Sequence, residues 1–201
     1  MNISEYLALH RFAIEKQFEI VLEYQKRLKD ATQAAELAKA EAQDRTVEYI
    51  EADADPDEIH TDRDRWVRFE FMNRANLASG AYQQKLIEIE QNLSGINQVC
   101  GLILQSAKQG VSAVHQASGW SMGRIVGTTE TLGNVIRQAR NQASHYEEGR
   151  PSQRVQDCFA NLHADFNIPN DLTKNLARFV VFDVLGWQTY SQYESDMVAN
   201  F

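Results

Sequence analysis

ISEYLALHRFAIEKQFEIVLEYQKRLKDATQAAELAKAEAQDRTVEYI (residues 3–50) decides the fold class. Leu7, Ile14, Val21, Leu28, Ala35, Ala42 and Tyr49 recur every seven residues, with Ile3, Tyr24, Ala31 and Ala38 on companion positions. His10 and Gln17 interrupt that second row. Apolar groups at this period line one face of a helix, where a strand would alternate every second residue. The middle, DATQAAELAKAEAQ, is built from strong helix formers. One long helix is predicted.

The same period returns over residues 66–117. Met72, Ser79, Leu86, Leu93, Cys100, Ala107 and Val114 keep the repeat, and Ala75, Tyr82, Ile89, Ile96, Ile103 and Gly110 follow by three. Such a seam faces another helix. The acidic stretch Glu51–Asp64 (EADADPDEIHTDRD) reads as a solvated loop that lets the two helices fold back antiparallel. Small residues late in the seam, Cys100, Ala107 and Gly110, permit close approach. Cys100 reads as core.

Beyond residue 117 the punctuation changes. Ser118–Thr128 (SGWSMGRIVGT) reads as a loop or hinge. A third helix is predicted from Thr128 or Thr129 to about Glu148, stopped by Gly149 and Pro151. A fourth starts near Pro151 or Ser152, with Val155, Cys158, Phe159, Leu162 and Phe166 inward. A fifth, capped by Asn170 or Asp171 and apolar from Leu176 to Trp187, reads as the central buried helix. The expectation is an all-α bundle of about five helices: residues 1–117 form the long hairpin, and 118–201 complete one continuous domain.

Composition narrows the function. In 201 residues, 3 Pro and 10 Gly are too few for a sandwich or barrel, which needs frequent turns. Two Cys make no disulfide framework and suit a reducing compartment. The first 30 residues lack the apolar centre of a secretory leader, and no run reaches the length of a membrane span. A cytoplasmic location with no membrane partner is expected. Net charge is −8, but it is local: residues 1–64 hold 16 acids and 8 bases, and the rest balance. The Glu-x-x-His pairs of di-iron bundles, Cys-x-x-Cys, His-x-x-x-His and phosphate loops are absent from the sequence. Asp57-x-x-His60 is the nearest approach. No metal or cofactor is expected. His10, His60, His115 and His163 read as structural or surface residues.

One constellation stands out: Arg137-Gln-Ala-Arg140-Asn141-Gln-Ala-Ser-His145-Tyr146. On a helical wheel the stripe Leu132, Ile136, Ala139, Ala143, Tyr146 faces the core. Asn134, Arg137, Gln138, Asn141, His145 and Glu148 fall opposite. Asn141 and His145 are neighbours there, whereas Arg140 lies about 140° from His145 in an ideal helix. The two would converge poorly within one chain, and better across a two-fold axis. The plain alternative is a solvated polar face whose cations suit the helix C-terminus.

RNQASH, residues 140–145, resembles the Arg-polar-x-x-x-His signature of the HEPN superfamily, all-α domains found in ribonuclease toxins, phage-defence proteins and CRISPR effectors. The good match covers only about residues 128–201. The resemblance implies metal-independent cleavage of RNA at a composite dimer interface, leaving a 2′,3′-cyclic phosphate. It assigns catalysis to Arg140 and His145, with Asn141 in support, and implies a homodimer with an antitoxin or defence-system partner. Many members of the superfamily are non-catalytic. The chemistry suits these groups: His serves as base and acid near neutrality, and Arg holds phosphate oxygens as charge develops. Residues 124–154 hold 5 Arg and 3 Glu, so Arg137, Arg150 and Arg154 are candidates to bind the RNA backbone. The reading from another class is a non-catalytic helical module that dimerises or holds a partner through its hairpin.

Overall fold

A computed structural model describes residues 1–53 and 61–201. It is an all-α bundle with a long N-terminal helical hairpin. Helix α1 runs Ile3–Asp53 and α2 Asp62–His115. A 3-10 turn (Gln116–Ser121) leads to a small hairpin, β1 (Ile125–Val126) and β2 (Glu130–Thr131). Helix α3 spans Leu132–His145, α4 Gln153–Phe166, α5 Ala177–Phe179 and α6 Tyr190–Asn200. Much of the acidic loop, with Pro56 and the Asp57-x-x-His60 motif, lies outside the described residues. The chain forms two compact units: residues 1–24 with 94–201, and residues 25–93.

The larger unit carries the core. Leu7 and Ile14 of α1 are buried, as are Cys100, Ile103, Leu104 and Ala107 of α2. The heptad row thus faces the interior, and the small residues do what their size allows. A Cβ on Gly110 would sit 2.8 Å from the Tyr6 ring, and one on Gly95 would sit 2.6 Å from Tyr24. Early α1 meets late α2, which is the antiparallel sense. The Tyr6 hydroxyl donates to the carbonyl of Ser106 at 2.9 Å.

The smaller unit is thinly packed. Ala31 and Ala35 are buried, while Ala75, Tyr82 and Ile89 are half-buried. Two expected seam residues, Met72 and Ser79, are exposed instead. A straight helix drifts ~20° per heptad against a strict seven-residue repeat. Three or four heptads from Cys100, those positions have rotated off the seam. Ion pairs such as Arg45–Glu48 (2.8 Å) and Lys85–Glu88 (2.9 Å) follow the helix surface, where water screens them and they contribute little.

Three expectations beyond residue 117 need correction. Helix α3 begins at Leu132, with Thr131 as its cap accepting from the Asn134 N–H, because residues 125–131 form the hairpin. Val126 pairs with Glu130, and Gly127 turns the chain at φ 65°. The expected fifth helix is two helices. A π-helical turn, Val180–Val184, follows α5; Gly186 then takes φ 72°, and the Trp187 N–H returns to the Val181 carbonyl at 2.9 Å. The second helix starts afresh on a capping box between Thr189 and Gln192. Trp187 and Tyr193 are fully buried and meet edge-to-face at 4.9 Å, so the expected burial of this region holds even though the helix does not. The third correction concerns Gln138 and follows below.

Both thiols are buried in the core. Burial pushes Cys100 up to about 12, against a smaller opposing pull from Arg178, and raises Cys158 further, with the Glu130 carboxylate adding to it. The thiolate is the reactive form. Native protein at pH 8 should therefore react with a thiol reagent about a thousandfold more slowly than free cysteine, and both thiols should react promptly in denaturant. Fast labelling of either in the native state would contradict the packing.

Candidate functional site

The site is organised by the end of α3. Regular helix stops at His145, whose φ of −131° leaves the helical range, and a 3-10 turn covers Tyr146–Glu148. Gly149 follows at φ 64°, a conformation favouring glycine, and its N–H donates to the Tyr146 carbonyl at 3.3 Å. Ser152 then serves as the N-cap of α4. This tight reversal folds residues 146–152 beside the last turn of α3 and leaves a cavity of about 340 Å³. Asn141, His145, Tyr146, Glu148, Arg150 and Leu172 are among the residues that line it.

Gln142 builds the far wall. Buried in α3, its amide donates to the carbonyls of Lys174 (2.6 Å) and Leu172 (3.2 Å) and accepts from the Leu176 N–H (3.1 Å). Three bonds from one side chain hold residues 172–176 against the helix, and Leu172 reaches the cavity as a result. A buried polar group with its partners satisfied specifies one arrangement of the surrounding loop.

His145 lines the cavity and is exposed to solvent. Its Nδ1 lies 2.6 Å from Glu148 Oε1. A carboxylate acceptor assigns the proton to Nδ1, which leaves the Nε2 lone pair free in the neutral ring. Side-chain exposures of 56% and 66% make this pair an orienting contact with little effect on stability. Arg150 brings positive charge to the same cavity, and Arg154 is exposed on the first turn of α4.

Arg140 goes elsewhere. Its Nε donates to the side chain of Gln105 on α2, and it does not line the cavity. Arg140 and His145 are therefore not brought together within one chain, which agrees with their wheel angle even though the helix end unwinds. Asn141 links the two sides: it lines the cavity, and its Oδ1 accepts from Arg140 Nη1 at 3.5 Å. The Arg137 guanidinium lies 5.4 Å from the centre of the Trp120 ring.

Gln138 corrects the picture of an open polar face. It is 3% exposed and donates to Asn134 Oδ1 at 3.0 Å. Asn134 donates to Glu130 at 2.6 Å, and Asn161 of α4 donates to the other oxygen of Glu130 at 2.8 Å. The hairpin and α4 cover that side of the helix, so its polar residues satisfy one another. Arg124, one of the five arginines of this region, is neutralised by Asp196, with contacts at 2.9 and 3.0 Å.

The described histidines outside the motif have structural partners. His10 packs on the Tyr6 ring at 4.5 Å, His115 meets the Phe201 carbonyl at 2.6 Å, and His163 the Ile168 carbonyl at 2.6 Å. Among the described residues no group of three or more His, Cys, Asp or Glu could hold a metal ion, and no helix is long and apolar enough to cross a membrane. The sequence reading missed the roles of Glu148, Gln142 and Gln105. Glu148 was legible in principle, since a residue three positions on is a helical neighbour. Gln142 and Gln105 act across the fold and leave no local signature. Compared with protein families, curated proteins and solved structures, the chain matches none.

Proposed function

We propose that this chain is a HEPN-type endoribonuclease, cleaving RNA without a metal at a composite site between two copies, as a cytoplasmic toxin or phage-defence component. The observation that carries the reading is His145 on the wall of a cavity shared with Asn141, Glu148 and Arg150, with Nδ1 engaged by Glu148 and Nε2 free. Nε2 takes the proton from a ribose 2′-OH as that oxygen bonds to phosphorus. The bond to the 5′ oxygen breaks, that oxygen takes its proton from solvent water, and the imidazolium returns its own proton to solvent. The products are a 2′,3′-cyclic phosphate and a 5′-hydroxyl. Arg140 from the opposing copy balances charge on the phosphate oxygens. Arg140 pointing away from its own His145 supports a composite arrangement: an isologous pairing of this face returns each group to the other's site. Asn141 supports Arg140, and Arg137, Arg150 and Arg154 hold the backbone.

The test is cleavage of single-stranded RNA in EDTA by wild type, Arg140→Ala and His145→Ala. The reading expects wild type alone to cleave well and its products to carry cyclic phosphate ends. Equal cleavage by all three proteins would reject it. A second reading, a non-catalytic interaction module, is favoured by one feature: Trp66, Phe69, Leu77 and Ile87 are exposed along α2. They fall within about 80° of one another on the helix. An apolar stripe facing solvent suits a partner. This reading expects no cleavage by wild type in any buffer.

A further inference from the structure

Helices α2 and α3 run side by side with a regular register. A Cβ on Gly101 would lie 3.5 Å from Ala143, and one turn further along α2 the Gln105 side chain accepts from Arg140. One turn along α2 is thus matched by one turn back along α3. Lys108 follows Gln105 by one turn, and Arg137 precedes Arg140 by one turn. Three cations therefore lie close together. Arg140 is fixed by Gln105 and Asn141, and Arg137 is held over Trp120.

We propose that Lys108, Arg137 and Arg140 form a site for backbone phosphate of single-stranded RNA, beside the cavity of His145. The choice of polymer rests on the ribonuclease reading; the anion site itself stands on three observations. First, none of the three cations is ion-paired to a carboxylate among the described residues. Lys16, Lys85, Lys174, Arg11, Arg74 and Arg124 each meet one, while Lys29, Arg154 and Arg178 do not among the described residues. In a chain of net charge −8, a cluster of like charges lacking a counter-ion is a place an anion would relieve. Second, the charges feel one another. The Lys108 ammonium is lowered from its ordinary value, first by partial burial, then by Arg140 and Arg137. Third, the cations adjoin the cavity through Asn141. Asn141 touches Arg140 and lines the cavity, and Arg137 and His145 are about 12 Å apart along α3. A short single strand spans both. Lys108 was invisible in the motif because it lies on another helix.

The cluster also gives Arg140 a second use. In its own subunit it holds a neighbouring phosphate, while a two-fold partner presents the same face to the scissile one. The test is binding of a fluorescent 2′-O-methyl RNA, which cannot be cleaved, across about 50–200 mM salt. Lys108→Gln should weaken binding about fivefold and flatten the salt slope by about 0.7, the value for one lost single-strand phosphate contact. Lys108→Arg should retain both. Lys29→Gln, which removes the same charge from α1, should match wild type. The proposal is overturned if Lys108→Gln behaves like Lys29→Gln, if wild type does not bind the RNA, or if poly-glutamate binds more tightly than RNA. Binding that depends on Lys108 without any cleavage of ordinary RNA would keep the site and reject the nuclease. Cleavage with binding indifferent to Lys108 would do the reverse.

Discussion

His145→Ala lowers the rate of RNA cleavage by about a thousandfold and leaves the melting temperature nearly unchanged. The size follows from the chemistry. A positioned base contributes about 10²–10⁴ in rate. The unchanged stability follows from exposure. With more than half of its side chain in solvent, His145 leaves no cavity when truncated. Its pair with Glu148 is open to water and contributes little. Surface changes of this kind stay within about 0.5 kcal/mol. Glu148→Gln should lose less than His145→Ala, because the carboxylate orients the ring while the ring moves the proton. RNA cleavage assays beside circular-dichroism melts separate the two effects. A fall in activity that merely follows a fall in stability would remove His145 from the chemistry.

Gly133→Ala has the opposite signature: it damages the fold from a position with no part in the reaction. A Cβ there would stand 2.0 Å from the Gly119 carbonyl oxygen and 3.1 Å from the Trp120 Cα. These are backbone atoms, which cannot swing aside. The same junction is held by the Gly133 N–H on the Met122 carbonyl at 3.1 Å and by the Thr131 hydroxyl on the Trp120 carbonyl at 3.1 Å. Relieving the clash would break these bonds and tilt the first turn of α3. The cost should be about 3 kcal/mol, the upper part of the range for overpacked cores. For a chain of this length that is a fall of about 6–12 °C in melting temperature. Gly80→Ala gives the contrast. Nothing lies within 4 Å of a Cβ there, in mid-helix, so that change should stabilise by about 0.5–1 kcal/mol. Equal melting of Gly133→Ala and wild type would contradict the close approach of α3 to the preceding turn.

The readings that succeeded rest on period. A heptad row such as Leu7, Ile14, Val21 repeats one local rule over many turns, so single errors do not move it. Val155, Cys158, Phe159 and Leu162 are buried on α4 for the same reason. Where the rule weakens, legibility does too. Met72 and Ser79 kept the count of seven, but the helix turns by 3.6. The break after Leu185 was written in the sequence as Gly186 and the Thr189-x-x-Gln192 cap, yet the apolar run from Leu176 to Trp187 outweighed it. Gln138 shows the deeper limit. A wheel sorts one helix into two faces, but α3 touches the hairpin, α4 and the 172–176 segment as well as α2. A polar side chain on its far side can therefore be buried among amides. The wheel did separate Arg140 from His145. What it could not supply was the partner of each: Gln105 from a helix 35 residues away in sequence, and Glu148 from a turn that begins where the helix ends.

The composite site is tested most directly by mixing subunits. Arg140→Ala and His145→Ala proteins, each inactive alone, are unfolded together and refolded so that mixed dimers form. If Arg140 of one copy serves His145 of the other, the mixed dimer holds one complete pair, and cleavage of RNA in EDTA returns to a substantial fraction of wild type. If mixed dimers form and cleavage stays at the level of the single variants, the two residues do not share a site across an interface, and the account is wrong at its centre.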